Sequence, residues 1–270
     1  MKSRILFCAA MMVALSTGLV GTAGIASAHP LSTRPMAYTC TGGDFASGNL
    51  TNIPSGIYAS IRVTGACAVA PDAVITVVGN VNVASGAVLD AQSRPSTITV
   101  GHNVTAARGS LLGLGCLPNP PGHTTGHPCT VEPDGHSTIT VKGNVTAIDA
   151  DTVLLNGITV KGNVTLIGGG EDVNPWSIKT NTIGRNLLVI GVTPNWLGVI
   201  VNKVGGNVIL INITITDPGD PSPTIFVASN TIGRNLICKG LAPAVSGGFP
   251  GEVNVVGGRA LGQCANLPDE

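Results

Sequence analysis

The chain has 270 residues, of which only 10% are charged, and its 14 Lys and Arg balance its 14 Asp and Glu. A neutral surface so sparse in charge argues against nucleic acid or an anionic membrane surface as partner, because both are bound through accumulated positive charge. Aromatic residues are 3% and glycines number 37, and much of the remainder is Val, Ile and Thr, a composition of narrow strands and tight turns.

In chain order, Met1-Lys2-Ser3-Arg4 leads into an apolar run from Ile5 to Val20 and then into Ala26-Ser27-Ala28. A basic head, an apolar stretch and a small-x-small end make residues 1–28 a secretory signal peptide, cleaved after Ala28. The mature chain is then expected to be secreted or held at the cell wall. Cys8 lies inside the apolar run, which argues against a lipid anchor, and no later segment is apolar enough for membrane insertion. Beyond the leader, Cys40, Cys67, Cys116, Cys129, Cys238 and Cys264 form an even set, which in an oxidising compartment predicts disulfides.

Residues 29–72, with the alternating stretch Gly56 to Val63, are expected to cap the first open strand edge. From 73 to 240 one phrase recurs. It reads ITVVGNVNV at 75–83, ITVGHNVTA at 98–106, ITVKGNVTA at 139–147 and ITVKGNVTL at 158–166, then NTIGRNLLV at 181–189, NKVGGNVIL at 202–210 and NTIGRNLIC at 230–238. Its asparagines, Asn80, Asn103, Asn144, Asn163, Asn186, Asn207 and Asn235, are spaced by 23, 41, 19, 23, 21 and 28 residues. The repeat is therefore a coil of about 19–24 residues, with insertions.

Within a copy, Ile139, Val141, Val145 and Ala147 alternate with Thr140 and Thr146, the period of strands with one buried face. The Gly-Asn pair between the two halves suits a sharp bend. One coil cannot bury its apolar row, but coils stacked about 4.8 Å apart can. The expected fold class is all-β, a parallel β-helix that is right-handed by precedent. Equivalent asparagines would then stack into an amide ladder. Outward threonines would form rows: Thr76, Thr99, Thr140 and Thr159, and beside them Thr105, Thr146 and Thr165. These rows are expected to be interrupted by the segment 109–136 and to lapse after Thr165. Sequence neighbours are spatial neighbours in a solenoid, which favours Cys40–Cys67, Cys116–Cys129 and Cys238–Cys264, the first and last stapling the ends. Residues 241–270 are expected to form a C-terminal coil and cap.

Through coil length, inward aliphatics and the asparagine-bearing bend, residues 73–261 resemble the pectate-lyase-like right-handed parallel β-helix superfamily. The coil pattern is also similar to those of secreted adhesin passengers and, less closely, of bactofilins. The resemblance is one of architecture and carries no single function.

The long step between Asn103 and Asn144 contains the Cys/His/Pro-rich segment 109–136, which its prolines and glycines make a surface loop clipped by Cys116 and Cys129. Cys116, His123, His127 and Cys129 could instead ligate zinc, though in no recognised spacing, and His123, His127 and His136 are the sulfur-free metal candidates. No cofactor is expected. The resemblance implies, for an enzyme, clustered carboxylates and a basic partner. Asp149 and Asp151, two apart in a strand-like stretch, are the candidates, with Asp90 on a neighbouring coil and Arg108. Arg108 and Asp149 each stand five places after their marker asparagine, so they also fit an ordinary cross-coil ion pair. Trp176 and Trp196 are candidates for stacking on sugar rings. Arg185 and Arg234, in matching places of two coils, are candidates for a charged ligand.

The sequence thus points to a secreted, non-catalytic β-solenoid acting as a structural or adhesive surface, with a polysaccharide or cell-wall component as ligand. The alternative is a polysaccharide lyase or glycoside hydrolase of the β-helix type, and a third reading is a self-assembling scaffold. An enzyme should gather three or more acidic and basic side chains in one groove, whereas a surface protein should leave its charges scattered.

Overall fold

The structure, a computed structural model, describes residues 34–120, 125–217, 219–220, 222–248 and 251–267; the leader 1–28 and His123 lie outside the described residues. Among the described residues there are 27 strands and no helix. The strands stack in parallel as a β-solenoid of about 10 turns.

One coil shows how the sequence folds. Thr138–Val141 runs to a bend at Gly143-Asn144, and Val145–Ile148 follows. Asp149 then turns the chain in the left-handed region (φ 51°), Thr152–Asn156 forms a third strand, and Gly157 (φ 70°) returns the chain to the next coil. The first two segments belong to an 18-stranded sheet and the third to a 9-stranded sheet. Like residues stack on like: Ile98 beside Ile139, Val100 beside Val141, and Val104 beside Val145 beside Val164. Their inward side chains fill one continuous aliphatic core. Thr152–Asn156 is buried along its whole length, which is why its sequence, TVLLN, lacks the alternation of the other two segments.

Two amide columns hold the coils in register. The marker asparagines form one, in which each Oδ1 accepts the backbone N–H of the next coil's asparagine: Asn103 to Asn80 (3.0 Å), Asn144 to Asn103 (2.8 Å), and so on to Asn235 on Asn207 (3.1 Å). A second column, Asn181, Asn202, Asn230 and Asn254, lies where the third strand turns into the next coil. Its polarity is reversed, each asparagine donating forward to the next, and Asn181, Asn202 and Asn230 are buried.

The three disulfides pair Cys40 with Cys67, Cys116 with Cys129 and Cys238 with Cys264. At the N-terminal end, Met36–Cys40 pairs with Gly56–Val63 and Thr51–Ile53 with Ala66–Val69, so residues 36–69 add coils to the stack. At the other end the last rungs are Val255–Val256 and Ala260–Gly262.

The insertion leaves after Leu111–Leu114 and rejoins at Ser137, with both its cysteines buried. It lies back on the solenoid: Val131 N–H donates to Ser93 O (3.0 Å), and Leu117 and His127 form an antiparallel bridge. Because it departs from the 9-stranded sheet, it leaves the threonine rows intact, contrary to expectation. Thr99 pairs directly with Thr140 and Thr105 with Thr146, and the first row continues to Thr182 before Lys203 and Thr231. The second row does change after Thr165, to Leu188, Ile209, Ile237 and Leu261.

Candidate functional site

The outer face of the 9-stranded sheet carries one column of outward residues along the axis: Asn52, Ala68, Asp90, Gly113, Leu154, Ser177, Gly198 and Phe226. The column makes a floor whose middle members Gly113, Leu154, Ser177 and Gly198 are buried, Gly113 beneath Gln92 and Gly198 beneath Trp196, so the floor opens to solvent towards its two ends. At one end Trp196 lies over Gly198, where a Cβ would meet the indole tip at 2.2 Å, so this position requires glycine. The Trp196 and Phe226 rings are 5.8 Å apart at 36°, and Lys179 Nζ sits 5.1 Å from the Trp196 ring centre. That distance suits a cation–π contact. Burial pushes the Lys179 ammonium below the ordinary lysine range.

At the other end of the floor, a pocket of about 260 Å³ is lined by Asn52, Asp90, Ser93, Arg94, Thr130 and Val131, among others. Asp90 Oδ1 accepts the backbone N–H groups of Gln92 and Ser93, which fixes its carboxylate in the wall. His127 of the insertion is half-buried, and burial, then Lys179, lowers its pKa below the ordinary histidine value, with Asp90 opposing. It therefore offers a neutral imidazole to this surface at neutral pH. Gln92 Oε1 and the Nδ2 of the fully buried Asn156 have no hydrogen-bond partner here.

A second depression, of about 520 Å³, lies on the turn between the two sheets, lined in part by Asp44, Phe45, Gly86, Gly109, Asp151, Thr152, Glu171 and Asn174. Glu171 Oε1 accepts from Thr152 Oγ1 (3.1 Å) and from Asn174 Nδ2. Burial and the neighbouring Glu171 push the Asp151 carboxyl up.

The residues singled out from sequence are distributed differently from expectation. Asp149 and Asp151 do not share a strand face, because Asp149 occupies a left-handed turn and Ala150 points into the core between them. Arg108 is spent on Asp149, in a cross-coil ion pair of 2.9 Å. Asp151 meets Glu171 instead, while Asp90 stands on the other surface. Trp176 cannot stack on a ligand: it is fully buried in the core, its Nε1 donating to Asp151 O (2.9 Å). Arg185 and Arg234 are exposed at the bend of the large sheet with Gly206 of the intervening coil between them, on a different surface from Trp196. Cys116 and Cys129 are joined to each other and offer no thiolates to zinc. His136 is exposed, and among the described residues no group of three or more His, Cys, Asp or Glu converges to hold a metal ion.

Sequence reasoning missed Glu171, Phe226 and Lys179, which carry no motif. Their signal was positional: Lys179 and Phe226 alternate with the buried Ile178 and Ile225 in strands of the small sheet. No family model matches the chain, and no curated protein or solved structure matches it.

Proposed function

We propose that the protein is an extracytoplasmic, non-catalytic β-solenoid that presents a glycan-binding surface, the floor of the 9-stranded sheet being the site. The observation that carries this reading is the Trp196–Phe226 pair with Lys179, an aromatic platform on the outside of a chain that has only 3% aromatic residues. Sugar rings present apolar C–H faces to aromatic rings and hydroxyls to neighbouring polar groups, and Asp90, Arg94 and His127 supply such groups along the same floor. The three disulfides suit an oxidising compartment, and no helix among the described residues is long and apolar enough to cross a membrane.

The test is retention of the purified protein on immobilised neutral hexasaccharides, cellohexaose and chitohexaose, with Trp196→Ala and Phe226→Ala beside it. Truncating a central aromatic anchor is expected to weaken retention by about tenfold or more. Failure of both sugars to be retained, or retention unchanged in both variants, would remove the platform from the account.

A second reading is favoured by a separate observation, the raised Asp151 carboxyl beside the hydrogen-bonded Glu171 in one groove with Asp44. Unequal carboxyls on one groove are what a glycoside hydrolase uses, one to protonate the departing oxygen and one to act on the anomeric carbon directly or through water. Release of new reducing ends that is abolished by Asp151→Asn and by Glu171→Gln would establish that reading over the first.

A further inference from the structure

The second segment of the large sheet shows solvent an aliphatic face over the C-terminal half of the solenoid. Ile148, Ile167, Ile190 and Ile211 stack in one outward column, with Ile148 50% and Ile167 38% exposed. Beside it the threonine row gives way to Leu188, Ile209, Ile237 and Leu261. Such contiguous outward aliphatics on a sheet normally mark an interface.

The two borders of this strip differ in charge. On the bend side each of six successive coils brings one exposed cation, Lys142, Lys161, Arg185, Lys203, Arg234 and Arg259, and among the described residues none of them has an ion-pair partner. On the opposite side the turns that follow the strip carry Asp172, Asp217 and Asp220, while Asp149 is already paired with Arg108 and the exposed Lys239 follows Ile211 in the isoleucine column. The acids without an ion-pair partner belong to the coils of Lys161 and Lys203.

We propose that a second copy of this chain covers the strip, the two solenoids lying side by side and pointing the same way about a two-fold axis parallel to their length. That operator brings each cationic border against the partner's acidic border at the same height, whereas a two-fold across the strip would set cation against cation. The same surface patch serves both subunits, as a closed two-fold dimer requires. Five steps of about 4.8 Å and four residues of about 3.3 Å make the strip about 24 by 13 Å. Extending it by about three residues on either side, to the charged borders, gives about 800 Å² per partner, the size of a standard interface. This surface is on the large sheet and does not depend on the glycan-binding reading of the small one.

Sedimentation equilibrium of the purified protein tests the proposal. Dimer mass is expected for the native chain, and monomer mass for Ile190→Lys with Ile209→Lys, both outward positions, with circular dichroism confirming that the coils remain folded. Lys161→Glu and Asp172→Lys should each weaken the dimer by about tenfold through like-charge contacts, and the two together should restore it. A monomer at the highest soluble concentration, a dimer that survives Ile190→Lys with Ile209→Lys, or additive weakening in the charge pair would each overturn it. Binding of the native monomer to anionic phospholipid vesicles, lost in the same lysine variant, would assign the strip to a lipid surface instead.

Discussion

Asn202 donates both its backbone N–H (2.9 Å) and its Nδ2 (3.0 Å) to the Oδ1 of Asn230 one coil further on. Its own Oδ1 accepts the same pair of bonds from Asn181, and its Nδ2 also reaches Ile178 O (2.8 Å). Because Asn202 is fully buried, Asn202→Ala strands several groups away from water, each costing about 1–3 kcal/mol. A loss of about 3–5 kcal/mol is expected from urea unfolding. Asn163→Ala, in the half-buried outer column, lets water replace the amide and should cost only about 1–2 kcal/mol. Equal costs at the two positions would show that burial does not set the strength of the ladder.

Val201 sits in the left-handed region (φ 57°), as do Thr180 and Ser229 at the corresponding turns, while Gly157 fills the same role one coil before Thr180. A branched L-residue there costs about 1–2 kcal/mol in backbone strain, against about 0.5–1 kcal/mol of extra unfolded-state entropy for glycine. Val201→Gly is therefore expected to stabilise the protein slightly, by up to about 1 kcal/mol, whereas Val199→Gly, in the core on the preceding strand Leu197–Ile200, should destabilise it by several-fold more. Urea midpoints of the two variants check the sign. A lower midpoint for Val201→Gly would mean that the valine side chain contributes packing that outweighs the strain.

The outer amide ladder was legible because its asparagine follows glycine, histidine or arginine in a phrase that repeats almost unchanged. The buried ladder was not, although Asn181, Asn202 and Asn230 each stand five residues before a marker asparagine. It exists only in the later coils; Ile158 holds that place before Asn163, so no single phrase displays it. The error at Asp149 and Asp151 has a backbone cause. Alternation assigns faces only while a strand continues, and the left-handed turn at Asp149 ends it in a coil where the residue is not the glycine found at Gly168 or Gly191. The platform was half visible: tryptophan is conspicuous, but only the pairing of coils decides that Trp176 faces inward and Trp196 outward.

Removing the Cys116–Cys129 bridge by substituting both residues with serine tests whether the insertion's place against the sheet depends on it. The bridge closes a loop with a sequence separation of 13, a span for which loss costs about 3 kcal/mol. Release of the loop should expose His127 and relieve it of Lys179, so its pKa should climb back toward 6.5. An NMR titration of the imidazole reads this directly. A histidine that still titrates low in the double variant would show that the Leu117–His127 bridge and the Val131–Ser93 bond hold the loop unaided.

The groove carboxylates make a prediction about pH. Asp151 is raised above its ordinary 3.8 first by burial and then by Glu171, so the folded protein holds this proton more tightly than the unfolded chain does. The stability it contributes is fully present below about pH 3.8 and is lost as pH rises through the folded value, where the native state must carry an unfavourable charge. Asp151→Asn keeps the shape without the charge. It should raise the Tm near neutral pH by a few degrees at most, and the gain should vanish below the ordinary carboxyl pKa, where Asp151 is protonated in both states. Glu171→Gln removes the second cause and should bring the Asp151 titration part of the way down while leaving the burial contribution in place. Thermal melts of the three proteins across this range decide the matter. A Tm for Asp151→Asn below that of the native protein at neutral pH would mean that the carboxylate is stabilised by its surroundings, which would also remove the basis for its acid role in glycan cleavage.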